Sequence, residues 1–142
     1  MEMKKEKGFT LIELIVVIAI FGILAAITLA FLSKPGAQAS DVSVKANLLS
    51  IRKQSEIYYL ESNSYGENFT ECNDGVFSDP KVTEALTEIQ NNINGSITCN
   101  TSATGATWAI SVDKLKSANV TWCVDSTGAS RQGSEAEGGL CS

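Results

Sequence analysis

The chain has 142 residues, with 11 basic and 16 acidic side chains, four cysteines and no histidine. That length allows one domain and an attached segment. An acidic chain is a weak candidate for nucleic-acid binding, which needs clustered Lys and Arg against the phosphates. Without histidine or a closely spaced cysteine pair the chain lacks the pattern of a zinc site, and it has no catalytic motif or phosphate-binding glycine loop. We therefore expect no enzyme activity, metal or cofactor.

The chain begins with a short polar segment and continues with a long apolar one. Residues 1–8, MEMKKEKG, contain three lysines and two glutamates. The next 24 residues, Phe9 to Leu32, carry a single charge, Glu13. At about 1.5 Å per residue they form a helix of roughly 36 Å, enough to cross a hydrocarbon core of about 30 Å. Residues 9–32 are therefore predicted to form a transmembrane helix.

Residues 33–62 are predicted to continue this helix in amphipathic form. Pro35 and Gly36 mark an expected kink or short break. Beyond them, apolar residues recur at helical spacing on one side, and charged residues occupy the opposite side. This apolar face is expected to pack the helix against a following sheet. It consists of Val44, Leu48, Ile51 and Tyr58, widened by Leu49, Ile57 and Leu60.

Residues 63–142, with ten acidic and four basic side chains, are predicted to form a globular head. Asp79 and Pro80 begin a short helix, and three strands follow in the segments SITCN, TWAISV and NVTWCVD. Trp108 and Trp122 are interpreted as core residues of these strands. The tail after residue 126 would be loose on composition alone, but Cys141 indicates that it is tied back. The predicted fold class is α+β, with a long N-terminal α-helix packed against a small antiparallel β-sheet head.

All four cysteines lie beyond the apolar segment, in the part of the chain that would lie outside the cytoplasm. Disulfides persist there. Two structural disulfides are expected, and the sequence alone allows three pairings among Cys72, Cys99, Cys123 and Cys141. The same region contains an acidic group that we considered as a calcium site. It lacks the spacing of a calcium-binding loop, so we interpret it as a solvated acidic face. That group consists of Glu67, Glu71, Asp74 and Asp79.

The apolar segment has two ordinary interpretations. The first is a secretory signal peptide, because Ala37-Gln38-Ala39 matches a signal-peptidase site that would release a chain starting at Ser40. Signal peptides use apolar runs of roughly 7 to 15 residues, however, which is shorter than this one. The second is an uncleaved anchor holding a globular domain. Neither accounts for Glu13, a carboxylate inside a segment where charge is costly.

The stretch KGFTLIELIVVIAI resembles the type IV pilin and pseudopilin family. The resemblance implies that a prepilin peptidase removes residues 1–8 by cutting after Gly8 on the cytoplasmic face, and methylates the new N-terminus at Phe9. It also implies that Glu13 is a filament-assembly carboxylate. One departure is Ala30, where many members carry a proline, since this chain has its proline at Pro35.

A physical reason for Glu13 follows from that cleavage. The new α-amino group of Phe9 has a reference pKa of about 7.7 to 8.0, so it is largely an ammonium at neutral pH. Glu13 of one subunit can meet the Phe9 ammonium of a neighbour when apolar helices pack side by side. Such a pair adds little net stability over an apolar replacement, but it can fix the register between featureless helices.

The resemblance implies a structural subunit that is held in the inner membrane as a single-pass precursor and then polymerised into a helical surface filament. Its partners would be other copies of the chain, the prepilin peptidase and the inner-membrane assembly machinery. We favour the disulfides Cys72–Cys99 and Cys123–Cys141, because each joins neighbouring cysteines and the second resembles the C-terminal disulfide loop of many pilins. The alternatives are a type II secretion or competence pseudopilin and, outside the family, a secreted binding module released before Ser40.

Overall fold

The computed structural model describes residues 8–142, apart from the side chains of residues 32–34, and residues 1–7 of the predicted leader lie outside this range. The contacts within the chain define two compact units that meet after Gly36 in the sequence. The second unit is Ala37–Ser142. The elements follow in a single order from a long helix to a small sheet. They are α1 (Leu11–Ser62), a 3-10 turn (Gly75–Ser78), α2 (Pro80–Asn91), β1 (Ile97–Thr101), β2 (Trp108–Val112), β3 (Trp122–Asp125), β4 (Ser130–Gln132), β5 (Ala136–Glu137) and β6 (Leu140–Cys141).

The helix α1 continues through Pro35 and Gly36, so the expectation of a short break there is wrong, while the alternative of a kink stays a prediction. Proline removes one backbone hydrogen bond, and in this helix the residues before and after it are helical. The predicted α+β class, with a long helix, an antiparallel sheet and a C-terminal loop closed by a disulfide, is confirmed.

Within Ala37–Ser142, α1 buries the predicted face in the main core. Val44, Leu48 and Ile51 are at most 1% exposed, and they share one apolar cluster with residues of the sheet. Trp108 is fully buried at the centre of that cluster, with the Phe77 ring edge-on at 6.4 Å between ring centroids. The core prediction for these residues is confirmed.

The predicted widening of that face is wrong. Leu49, Ile57 and Leu60 are 40%, 47% and 83% exposed. Helical residues advance by about 100°, which places these three roughly opposite the buried residues and not beside them. Apolar residues therefore lie on two opposite sides of this part of α1, and only one side is buried.

The start of α2 follows the predicted signal. The Asp79 carboxylate accepts hydrogen bonds from the backbone N–H groups of Lys81 at 2.9 Å and Val82 at 3.3 Å, and Pro80 takes the first helical position. These contacts satisfy donors that have no partner inside the helix. The buried face of α2 then packs into the same core as α1. It consists of Val82, Ala85, Leu86 and Ile89.

The sheet has strand order β1-β2-β3-β4, with all neighbours antiparallel. The three predicted strands are present, and β4 comes from the tail expected to be loose. The rest of that tail forms the β5–β6 hairpin, closed by Gly138 and Gly139 at φ 56° and 82°, the left-handed region that favours glycine. Because α1 covers one face of the sheet and the hairpin contributes Ala136 and Cys141 against Ala109 on the other, all five residues of β2 are buried.

Candidate functional site

The N-terminal part of α1 presents apolar side chains to its surroundings on every side. Large hydrophobic residues from Phe9 to Phe31 are 41% to 83% exposed. The helix contains one stretch that is long and apolar enough to cross a membrane. An apolar surface this continuous marks a lipid or protein interaction site on a folded protein. This part of α1 therefore needs a covering of lipid or of other protein.

Glu13 closes a capping box at the start of α1. The Thr10 backbone N–H and the Thr10 hydroxyl both donate to Glu13 Oε2, at 2.8 Å and 2.7 Å, and the Glu13 N–H lies 3.3 Å from Thr10 Oγ1. This reciprocal arrangement satisfies free donors of the first turn. Our sequence reasoning missed the role of Thr10, although the spacing Thr-x-x-Glu before an apolar run is a known signal for it.

Glu13 keeps one oxygen free for a partner. Within residues 8–142, Glu13 Oε1 accepts no hydrogen bond, since both Thr10 donors use Oε2. An open groove of about 330 Å³ runs along this side of the helix, and Phe9 and Glu13 line the same groove. The other lining residues are Ile12, Val16 and Val17. The structure therefore places the predicted N-terminal residue and the predicted assembly carboxylate on one apolar face.

The hydroxyl of Thr28, farther along this segment, is hydrogen-bonded within the helix. The Thr28 hydroxyl lies within hydrogen-bond distance of two backbone carbonyls, at 2.9 Å from Ala25 and 3.2 Å from Leu24. Hydroxyls bonded in this way tolerate an apolar environment, where an unpaired polar group would be costly. The free oxygen of Glu13 is therefore the polar feature of this segment that calls for an outside partner.

The four cysteines form two disulfides in the head. Cys72 is joined to Cys99, which ties the segment after α1 to strand β1. Cys123 is joined to Cys141, which ties strand β3 to the last strand of the hairpin. Among the described residues there is no free cysteine and no group of three or more His, Cys, Asp or Glu side chains placed to hold a metal ion.

Asp125 connects the C-terminal hairpin to the sheet, a role that the sequence did not reveal. Its carboxylate is 1% exposed. Asp125 Oδ1 accepts hydrogen bonds from the N–H groups of Thr127 at 2.9 Å and Ala129 at 3.1 Å, which shapes the turn after β3. Asp125 Oδ2 accepts the Cys141 N–H at 3.0 Å, and the Arg131 guanidinium donates to the Cys141 carbonyl at 3.1 Å. The disulfide and these two hydrogen bonds therefore hold the same residue.

These contacts predict how the stability of the head depends on pH. Burial raises the pKa of Asp125, but the hydrogen bonds from Thr127, Cys141 and Ala129 outweigh burial and leave its pKa below the ordinary value. A carboxyl group whose pKa is lowered by folding stabilises the fold above its unfolded pKa of about 3.9. That stabilisation is lost as the pH falls through the lower folded value.

We expect Asp125→Asn to lower the free energy of unfolding at pH 7 by about 2 to 3 kcal/mol, because a buried carboxylate loses charge-assisted hydrogen bonds. Urea unfolding of the full chain in detergent, from pH 7 to pH 2.5, measures the difference from wild type. The difference should shrink as the pH falls below about 4, where wild-type Asp125 is also neutralised. Asp74→Asn, which alters an exposed carboxylate, is the control, and an equal loss in that variant contradicts the role of Asp125.

Comparison with known proteins finds one matching family model and similar curated proteins. A family described as the prokaryotic N-terminal methylation motif matches residues 3–29. The type IV wide pilus major component PilA4 of Thermus thermophilus is 46% identical over 66 residues, which are 46% of this chain and 50% of the relative. The type IV major pilin protein PilA of Myxococcus xanthus is 36% identical over 63 residues, which are 44% of this chain and 29% of the relative.

No solved structure matches the chain. The chain aligns with half or less of the length of each of these two relatives. The comparisons nevertheless agree, since the family model describes an N-terminal methylation motif and both relatives are type IV pilus proteins. By these matches the chain is similar in part to type IV pilins.

Proposed function

We propose that this chain is a structural subunit of a type IV pilus-like surface filament, not an enzyme. The observation that carries the proposal is the apolar part of α1, whose large side chains are exposed on every side, with a single carboxylate at Glu13. Such a surface suits a helix that rests in a bilayer and is later covered by the same helix of other copies. The names of the two relatives, a pilus component and a pilin, support the same role.

The proposed maturation begins in the inner membrane. Residues 1–8 form a leader that a prepilin peptidase removes after Gly8, and Phe9 becomes the methylated N-terminus. Residues 9–32 then serve as the membrane and assembly helix, residues 33–62 continue that helix, and residues 63–142 form the head. Gly8 and Phe9 are both exposed, which suits a bond that a peptidase must reach.

The proposed role of Glu13 follows from its geometry. Cleavage leaves an ammonium at Phe9, and Glu13 lines the same apolar groove as Phe9. In a bundle of identical helices, the Phe9 ammonium of one copy can donate to Glu13 Oε1 of its neighbour while Thr10 continues to use Oε2. An isolated charge in such a bundle is costly, whereas a paired one is much less so. The pair would therefore select one register among many that are equally apolar.

Electron microscopy of filaments from the native host tests this proposal. Labelling with an antibody against the head should decorate surface filaments in wild-type cells and none in cells that lack this chain. Short periplasmic assemblies without surface filaments would indicate a pseudopilus of a secretion or competence machine. Soluble protein in the medium without filaments would indicate a secreted binding module and would contradict the proposal.

A further inference from the structure

The part of α1 inside Ala37–Ser142 uses three of its four sides within its own subunit. One side enters the core through Val44, Leu48 and Ile51. A second side meets the sheet and the loops that join its strands. There Asp41 accepts hydrogen bonds from the Ser117 N–H and hydroxyl, the Lys45 ammonium lies 3.8 Å from the Trp122 ring centroid, and Arg52 donates to the Gly128 carbonyl at 3.3 Å. A third side meets the start of α2, where the Gln54 amide donates to Asp79 at 3.2 Å.

The fourth side is uncovered and mostly apolar. Its residues recur at spacings of seven, four, four and three, which keeps them within about 80° of one another around the helix. We call this surface the outer stripe; it consists of Val42, Leu49, Lys53, Ile57 and Leu60. The four apolar members are 67%, 40%, 47% and 83% exposed, in chain order. Three of them, Leu49, Ile57 and Leu60, are the residues wrongly predicted to widen the core face, and Val42 is the fourth.

Two charged residues of this surface have no side-chain partner in the part of the chain that the structure describes. Four other charged residues of α1 contact another part of the head, namely Asp41, Lys45, Arg52 and Glu56. Glu56 does so by accepting a hydrogen bond from the Tyr65 hydroxyl at 2.9 Å. By contrast, Lys53 in the outer stripe and Glu61 at its edge are exposed. Neither makes a side-chain hydrogen bond within residues 8–142. One base and one acid on the same apolar surface are therefore available to a neighbour.

We propose that the outer stripe is a second interface between copies of this chain, in which Lys53 of one copy pairs with Glu61 of the next. This rests on the proposed function, because the stripe belongs to the same helix as the assembly segment. Lys53 and Glu61 are eight residues apart, about 12 Å along a helix. Leu49 and Ile57 are separated by the same eight residues, so one axial offset brings Leu49 beside Ile57 and Lys53 beside Glu61.

The same geometry favours a chain of subunits over a closed dimer. Eight residues turn the helix by about 80° beyond two full turns, so Leu49 and Lys53 lie on one side of the surface and Ile57 and Glu61 on the other. The contact therefore joins two different patches. When one patch of each copy binds the other patch of the next copy, the first and last copies of the row each keep one patch free. Further copies can therefore add, unless the rotation between neighbouring copies closes a ring. Opposite charges at fixed positions then set the offset and disfavour other registers.

Charge reversal in the full chain, expressed in its native host, tests the pairing. Lys53→Glu and Glu61→Lys should each lower the yield of sheared filaments by about fivefold or more, because a like-charge contact recurs at every subunit. The double variant should restore the yield to within about twofold of wild type, since it recreates the pair in reverse. Total subunit and intact disulfides, measured on non-reducing gels, should be unchanged because both side chains are exposed.

The matched controls reverse charges outside the stripe. Lys81→Glu and Glu71→Lys alter exposed residues elsewhere on the head and, combined, make the same net change. They should leave the filament yield unaltered. Normal yield from both single stripe variants, or a double variant no better than they are, overturns the pairing while wild-type filaments still support the proposed function. A wild-type chain that forms no filaments overturns both.

Discussion

Glu13→Ala is expected to abolish filaments while leaving membrane insertion and cleavage after Gly8 intact. The helix becomes more apolar, so insertion is not impaired, and the cleavage bond lies outside the altered turn. In the filament, however, the Phe9 ammonium would lose its partner in an apolar bundle. Removing one member of a buried ion pair costs about 3 to 5 kcal/mol, which corresponds to more than about a hundredfold in the assembly equilibrium.

Two further variants separate charge pairing from helix capping. Glu13→Gln can still close the capping box with Thr10, since glutamine serves at that position, but it carries no charge. Thr10→Val removes the hydroxyl bonds to Glu13 and keeps the carboxylate. We expect Glu13→Gln to fail in assembly and Thr10→Val to retain most of it. Yields of sheared filaments, compared with membrane-bound subunit, measure this, and the opposite ranking contradicts the pairing role.

Replacing Cys123 and Cys141 together with serine is expected to lower the free energy of unfolding of the head by about 3 kcal/mol. The disulfide closes a loop with a sequence separation of 18 residues. The chain-entropy account assigns about that stabilisation to loops of this length. A loss of this size is a large share of the roughly 5 to 15 kcal/mol that stabilise a typical domain.

The same variant should also show where the head opens first. Without the disulfide, the backbone of residue 141 loses its covalent tie to β3 and is held to the sheet by its weaker hydrogen bonds with Asp125 and Arg131. Hydrogen exchange on the full chain in detergent should therefore show faster exchange in the β5–β6 hairpin before other strands are affected. The matched control replaces Cys72 and Cys99 with serine, which should lower the overall stability and leave the hairpin protected. An unchanged unfolding midpoint after loss of Cys123–Cys141 contradicts the account.

The sequence predicted the parts of the fold that follow from strong local patterns. Local pattern alone predicts the long helix of the apolar run, the start of α2 at Asp79 and Pro80, and the strand around Trp108. The break at Pro35 was wrong because a proline signal does not show whether the flanking turns persist. Strand β4 was missed because Ser130–Gln132 is short, polar and exposed, and forms only by pairing with β3.

The sequence predicted a residue of the candidate site only where its residue type is unusual for the surrounding segment. A carboxylate in an apolar run stands out, so Glu13 was found, whereas Thr10 was overlooked beside it. Asp125 depends on contacts with Thr127, Ala129 and Cys141 that arise only when the hairpin folds back. Leu49, Ile57 and Leu60 of the outer stripe were assigned to the core face because apolar periodicity does not say which side of a helix the rest of the chain covers.

The measurement that tests the central claim most directly is mass spectrometry of the intact chain and its N-terminal peptide, on protein from the native host. Processing as a type IV pilin predicts a chain that begins at Phe9 and carries one methyl group on its α-amino nitrogen. A chain that begins at Ser40 would mean an ordinary secreted domain. In that case neither Glu13 nor the apolar helix would be present in the mature protein, and the assembly role proposed for them would be contradicted.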